Sequence, residues 1–70
     1  MKTEYETIKF NRENQAWRCT DREGNVLGNV VQNMTTGEWR FLSLGSIFID
    51  AQMCPDIADF LGQLNKEGKT

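Results

Sequence analysis

The sequence predicts an α+β fold, an antiparallel meander of four to five strands with one C-terminal helix packed on one face. Up to Ile49, β-branched or aromatic residues alternate with polar ones between turn-forming segments, a pattern typical of strands. Beyond Pro55 the apolar residues recur instead at the spacing of a helix. The 70 residues allow a single small domain over 1–70, and a core of this size usually needs a further stabilising feature such as a partner subunit.

Alternation of apolar and polar residues predicts the strands, and turn-forming residues separate them. In the first strand, Glu6 falls on the same side as Ile8 and Phe10. The polar segment 11–15 is a predicted turn, and Gly28, inside the third strand, indicates a bulge or a close packing neighbour. The predicted strands cover 5–10, 16–20, 26–33 and 38–44.

The helix has a predicted start, stop and buried face. Pro55 is expected at the first helical position, where its missing N–H costs nothing. Asp56 and Asp59 follow in the opening turns, where carboxylates complement the helix dipole, and Gly68 is the predicted stop. One continuous apolar stripe at helical spacing is formed by Ile57, Phe60, Leu61 and Leu64.

Charge and cysteine content narrow the class of protein. Eight basic and ten acidic residues give a net charge of −2, whereas a strong grip on nucleic acid usually shows as a basic patch. No apolar run follows the N-terminus, so neither a signal peptide nor a membrane span is expected. Two widely spaced cysteines, Cys19 and Cys54, favour a cytoplasmic protein with reduced thiols.

The residues that carry chemistry do not form a catalytic set. The chain contains no histidine, the usual general acid or base and a frequent metal ligand. Cys54 precedes the predicted helix by one residue, a position in which a thiol can be reactive, but the charges of Asp56 and Asp59 oppose that reactivity. We therefore expect no enzyme activity, no catalytic residue, no metal and no cofactor.

The predicted strands carry apolar residues on both faces. In the fourth strand, Trp39 and Phe41 alternate with Leu42 and Leu44. One helix covers only one face of a sheet, so the second face is expected to contact something else. The alternatives are the segment 46–49, predicted as a short fifth strand or as a cover folded back over the sheet, an unidentified protein partner, or a second copy of this chain in a homodimer.

Two aromatic–arginine pairs, Trp17-Arg18 and Trp39-Arg40, supply candidate binding residues. These residue types are enriched at protein interfaces and also in sheets that stack nucleic-acid bases. Alternation points each tryptophan away from its neighbouring arginine, so two tryptophans in the core would leave both arginines on the other face. The candidate partner-binding residues are Arg18, Arg40, Leu42, Trp39 and Phe41.

The predicted order of three strands followed by a helix is similar to that of small sheet-plus-helix DNA-binding domains, such as the arm-binding domain of phage integrases. The residues that carry this resemblance are Gly-Glu-Trp-Arg-Phe at 37–41 and Gly45, followed by the helix. The resemblance implies DNA binding, but those modules are basic and this chain is acidic. The predicted function is a small non-enzymatic protein-binding module of accessory, regulatory or inhibitor type, as found in phages and other mobile elements. A nucleic-acid-binding sheet that uses arginine and aromatic side chains is the alternative, and no membrane partner is expected.

Overall fold

The computed structural model describes residues 1–45 and 49–67. It contains a four-stranded antiparallel sheet in the order β1-β2-β3-β4, followed by one helix, which confirms the predicted α+β fold. Most of the segment 46–49, predicted as a fifth strand or a cover, lies outside the described residues. The elements are β1 (Ile8–Glu13), β2 (Ala16–Asp21), β3 (Val26–Gln32), β4 (Trp39–Ser43) and α1 (Met53–Glu67).

The first strand begins three residues later than predicted, because the chain reverses direction just before it. The N–H of Tyr5 donates to the carbonyl of Ile8, and the N–H of Phe10 donates to the carbonyl of Thr3, both at 2.8 Å. Arg22 holds this turn by donating from its guanidinium to the carbonyls of Tyr5 and Glu6. Tyr5 is therefore buried and Glu6 exposed, so the prediction that Glu6 shares a face with Ile8 and Phe10 is wrong.

The first hairpin is tighter than the sequence suggests. Register pairs Glu13 with Ala16, which leaves only Asn14 and Gln15 in the loop in place of the predicted segment 11–15. Asn14 has a φ of 55°, a left-handed conformation that asparagine tolerates better than most residues. The polar residues before it are strand residues with exposed side chains.

The core lies between α1 and one face of the sheet. The ring of Phe60 stacks on that of Phe10, with centroids 3.9 Å apart. The rings of Trp17 and Phe60 pack edge to face, with centroids 5.1 Å apart. Such aromatic contacts contribute beyond the burial of area alone. Of the predicted helix stripe, Ile57, Phe60 and Leu64 are buried and Leu61 is half-buried.

Gly28 has both properties that the sequence indicated. The β2–β3 register shifts beside it, since Cys19 pairs with Gly28 whereas Thr20 pairs with Val26. An added Cβ at position 28 would lie 2.5 Å from the carbonyl oxygen of Leu42, so β4 packs against bare backbone there.

The helix starts two residues before the predicted position. The N–H groups of Met53 and Cys54 donate to the carbonyl of Asp50, at 2.9 and 3.3 Å, and open the first turn. Pro55 is then the third helical residue, still within the turn whose N–H groups have no intrahelical partner. Cys54 consequently lies inside the first turn and not ahead of the helix; the predicted stop at Gly68 lies outside the described residues.

Candidate functional site

The register of the sheet decides which side chains face the helix. Residues directly opposite each other on paired strands project to the same face. Trp17 lies opposite Val30, and Val30 lies opposite Phe41, so all three share the helix side. Trp39 precedes Phe41 by two residues and projects the same way. Both tryptophans therefore pack on the core side of the sheet.

The opposite side of the sheet carries the two arginines. Arg18 lies opposite Asn29 and Asn29 opposite Leu42, while Arg40 lies opposite Val31. We call these five residues the helix-free face.

The predicted partner-binding residues are thus divided between two surfaces. Arg18, Arg40 and Leu42 are exposed on the helix-free face. Trp39 and Phe41 are half-buried against the core on the helix side, so they do not share a binding surface with the arginines.

The helix-free face combines exposed apolar side chains with charged ones at its margins. Leu42 is 58% exposed and Val31 is 37% exposed, and Leu44, just beyond β4, is 40% exposed. Arg18 forms an ion pair of 2.8 Å with Glu13, and Arg40 one of 3.1 Å with Glu38.

Both ion pairs are solvent-exposed, and exposed pairs contribute little to stability. The arginines can therefore exchange these carboxylates for those of a partner at little cost to the fold. The surface has the composition of a protein interface, with an apolar centre and a charged rim.

Within residues 1–45 and 49–67, no aromatic ring lies beside these arginines to form a base-stacking platform. Among the aromatic residues that the structure describes, all lie on the helix side of the sheet or in the segment preceding β1. The guanidinium of Arg12, an exposed residue of β1, lies 5.5 Å from the ring centroid of Trp17 and 5.9 Å from that of Trp39. These rings are already engaged by a cation–π contact.

An open cleft of about 590 Å³ lies between the tips of the two outer hairpins. Its lining includes Arg12, Met34 and Trp39, and also Val31 of the helix-free face. No local sequence pattern indicates this cleft, because the positions of the hairpin tips depend on the two-residue loop at Asn14. The cleft extends the helix-free face at one end, with Met34 as an exposed apolar side chain beside it.

Asn65 makes a contact that the sequence analysis also missed. The N–H of Trp39 donates to its Oδ1 at 2.8 Å, and its Nδ2 donates to the carbonyl of Trp39 at 3.4 Å. A side-chain amide of α1 thereby pairs with the outer edge of β4 as a neighbouring strand would. Polar residues near a helix end carry no signal that reports such a long-range contact.

The two cysteines have separate structural roles. Cys19 is buried, and burial, aided by the nearby charge of Asp21, raises the pKa of its thiol to about 12, which disfavours the reactive thiolate. Cys54 is exposed in the first turn of α1, and both thiols are free. Within 1–45 and 49–67, no group of three or more Cys, Asp or Glu side chains has the arrangement of a metal site.

The described helix is neither long nor apolar enough to cross a membrane. Comparison of the chain with protein-family models, with curated proteins and with solved structures finds no match.

Proposed function

We propose that this chain is a small non-enzymatic protein-binding module, of accessory, regulatory or inhibitor type, that binds its partner through the helix-free face. The observation that carries the proposal is Leu42, which is 58% exposed in the middle of a strand while α1 packs on the other side of the sheet. Exposed apolar residues grouped on one face and rimmed by charge mark interaction sites.

The charges on this face favour a protein partner with accessible carboxylates. Arg18 lies beside Asn29 on β2, Arg40 lies two residues from Leu42 along β4, and each already holds one glutamate. Arginine is one of the residue types enriched among the side chains that dominate the binding energy of protein interfaces. The two free thiols favour action in a reducing compartment such as the cytoplasm.

Affinity capture from a bacterial lysate, with mass spectrometry and with nuclease treatment in a parallel sample, tests the proposal. Leu42→Glu and Arg40→Glu place an acidic group on the helix-free face, and each is expected to abolish recovery of the partner while leaving the fold intact. Matched controls on α1 are Ala58→Glu and Lys66→Glu, which make the same charge changes at exposed positions away from this face.

The test depends on how much partner the two face variants recover relative to the wild type and the two controls. A protein recovered by the wild-type chain and both controls, but by neither face variant, supports the proposal. Equal recovery by all five chains would place the binding surface elsewhere. Recovery that disappears with nuclease would identify nucleic acid as the partner and refute a protein-binding role.

A further inference from the structure

The outer edge of β4 has a defined pattern of backbone groups. The N–H of Asn33 donates to the carbonyl of Glu38, and the N–H of Leu44 donates to the carbonyl of Leu27. In an antiparallel ladder, alternate residues bond to the neighbouring strand. Arg40 and Leu42 therefore bond to β3 as well. The alternate residues of β4 direct their N–H and C=O groups outward, and these are Trp39, Phe41 and Ser43.

One of these three outward residues already has a partner. The side-chain amide of Asn65 pairs with both backbone groups of Trp39. Phe41 and Ser43 have no backbone or side-chain partner beyond β3 among the residues that the structure describes.

The other edge of the sheet is occupied at its start. Thr3 accepts from Phe10, and Tyr5 donates to Ile8, so residues 3–5 pair along the outside of β1. A row of unpaired groups in a strand is a template for another strand. Within the described parts of the chain, β4 is thus the edge with two adjacent outward residues free.

We propose that β4 pairs antiparallel with β4 of a second copy of this chain, about a twofold axis that passes between the two Leu42 residues. In this register Phe41 of each copy lies opposite Ser43 of the other. Each of these residues uses both of its outward groups, which gives four backbone hydrogen bonds, and the amide of Asn65 stays on Trp39.

Alternative registers use these groups less well. An axis at Phe41 would bring Ser43 opposite Trp39, whose N–H and C=O are already bound to Asn65. An axis at Ser43 would use the residues beyond Leu44, where Gly45 turns the chain with a φ of 53°. The axis at Leu42 pairs both free residues with each other, and it brings only Gly45, where the chain turns, opposite Trp39.

The side chains also suit this register. Leu42 would form a non-hydrogen-bonded pair with Leu42 of the second copy, the closer kind of cross-strand pair. This contact covers the most exposed hydrophobic side chain of the sheet, at 58%. Arg40 would lie opposite Leu44, well away from Arg40 of the second copy, so no like charges meet. The dimer is isologous, as most homodimers are.

Cysteine cross-linking tests the register directly. In a background of Cys54→Ser, Leu42→Cys places two thiols across the axis, within the range in which antiparallel neighbours form a disulfide. Arg40→Cys is the matched control, since it is on the same strand and face with similar exposure. Its two thiols would be four residues apart along the strands, about 13 Å, too far to bond.

Under mild oxidation at equal concentrations, Leu42→Cys is expected to form a covalent dimer at least about tenfold faster than Arg40→Cys, because the complex raises the effective concentration of the thiols. Equal rates for the two variants, or faster reaction of Arg40→Cys, would overturn the proposal.

Sedimentation equilibrium between about 10 µM and 1 mM, a range suited to a weak edge-to-edge contact, provides the second test. Ser43→Pro removes only an outward N–H, so it should abolish the dimer and leave the thermal melt of the monomer unchanged. Val31→Glu, one strand inward on the helix-free face, should keep the dimer.

A wild-type chain that stays monomeric throughout this range refutes the dimer and leaves the protein-binding proposal to its own capture experiment. The two proposals can fail separately, because Ser43→Pro changes the backbone edge of β4 and leaves the side chains of the helix-free face in place.

Discussion

Alanine at position 28 should destabilise the protein, although alanine normally suits a strand better than glycine does. A Cβ at this position would lie 2.5 Å from the carbonyl oxygen of Leu42, 2.7 Å from Cζ of Phe41 and 3.0 Å from Cα of Ser43. Two of these three atoms belong to the backbone of β4. The ring of Phe41 can rotate away, but the Leu42 carbonyl moves only if the strand moves.

The size of the effect follows from two opposed terms. Forcing an extra carbon into a packed site costs about 1–3 kcal/mol. Replacing glycine inside a strand returns about 0.5–1 kcal/mol, because the unfolded chain loses conformational freedom. The mid-range values of these two terms leave a net loss of roughly 1 kcal/mol, a large share of the roughly 3–5 kcal/mol that a core of this size supplies.

Urea unfolding monitored by tryptophan fluorescence measures this loss, and the chain contains a matched control. Gly62 lies within α1, and a Cβ added there meets nothing within 4 Å. Gly62→Ala should therefore stabilise the protein by about 0.5–1 kcal/mol through helix propensity alone. The same chemical change should shift the urea midpoint in opposite directions at the two positions.

Either of two results would refute the close approach of β4 to Gly28. One is a Gly28→Ala variant that is as stable as the wild type or more stable. The other is an equal shift of the urea midpoint in the same direction in both variants, which would show that the effect of alanine does not depend on contact with Leu42. A changed slope of the urea curve would indicate a less compact native state and would call for comparison by circular dichroism.

Two further predictions concern α1 and the pH dependence of stability. Asn65→Ala removes both hydrogen bonds to Trp39 and should lower the free energy of unfolding by about 1 kcal/mol, measured in urea, whereas Lys66→Ala next to it should have almost no effect. Burial raises the pKa of the Cys19 thiol to about 12. Because the folded pKa lies above the unfolded one, the contribution of this thiol to stability is complete below about pH 8.5 and is lost as pH rises toward 12. Cys19→Ala should flatten this part of the plot of unfolding free energy against pH. Burial, reinforced by the hydrogen bond to Asp59, likewise raises the pKa of Tyr5. A second loss of stability therefore begins above about pH 10, and it should be absent in Tyr5→Phe. An unfolding free energy of the wild type that stays constant from pH 8 to 11 would contradict both assignments.

The sequence was most informative where periodicity was long and simple. The stripe of Ile57, Phe60 and Leu64 required a helix with one buried face, and the structure buries all three. The alternation of Trp39 and Phe41 with Arg40 also separated the two faces of β4 correctly. In both cases the geometry of a single element determines the outcome.

Sequence reasoning was wrong where contacts between distant residues decide the backbone path. Residues 5–10 do alternate in sequence as a strand would, yet the chain reverses direction between Tyr5 and Ile8. Arg22 holds this reversal by binding the carbonyls of Tyr5 and Glu6 from sixteen or more residues away. The same limit applies to Asn65, whose contact with Trp39 spans 26 residues. Local patterns separated the tryptophans from the arginines but could not determine which of them lie on the core side, since alternation alone does not state which face the helix covers.

The two proposals meet at Leu42 without excluding each other. Pairing through the edge of β4 extends the sheet in its own plane, so the side chains of the helix-free face still project perpendicular to it. The dimer would join two such faces at a shared apolar centre, with Arg18 and Arg40 of both copies around it. A partner that contacts both halves would bind the dimer more tightly than the monomer, and by linkage it would stabilise the dimer in return. Partner affinity should then fall in Ser43→Pro, whose helix-free face is intact, whereas equal affinity would show that one face is sufficient.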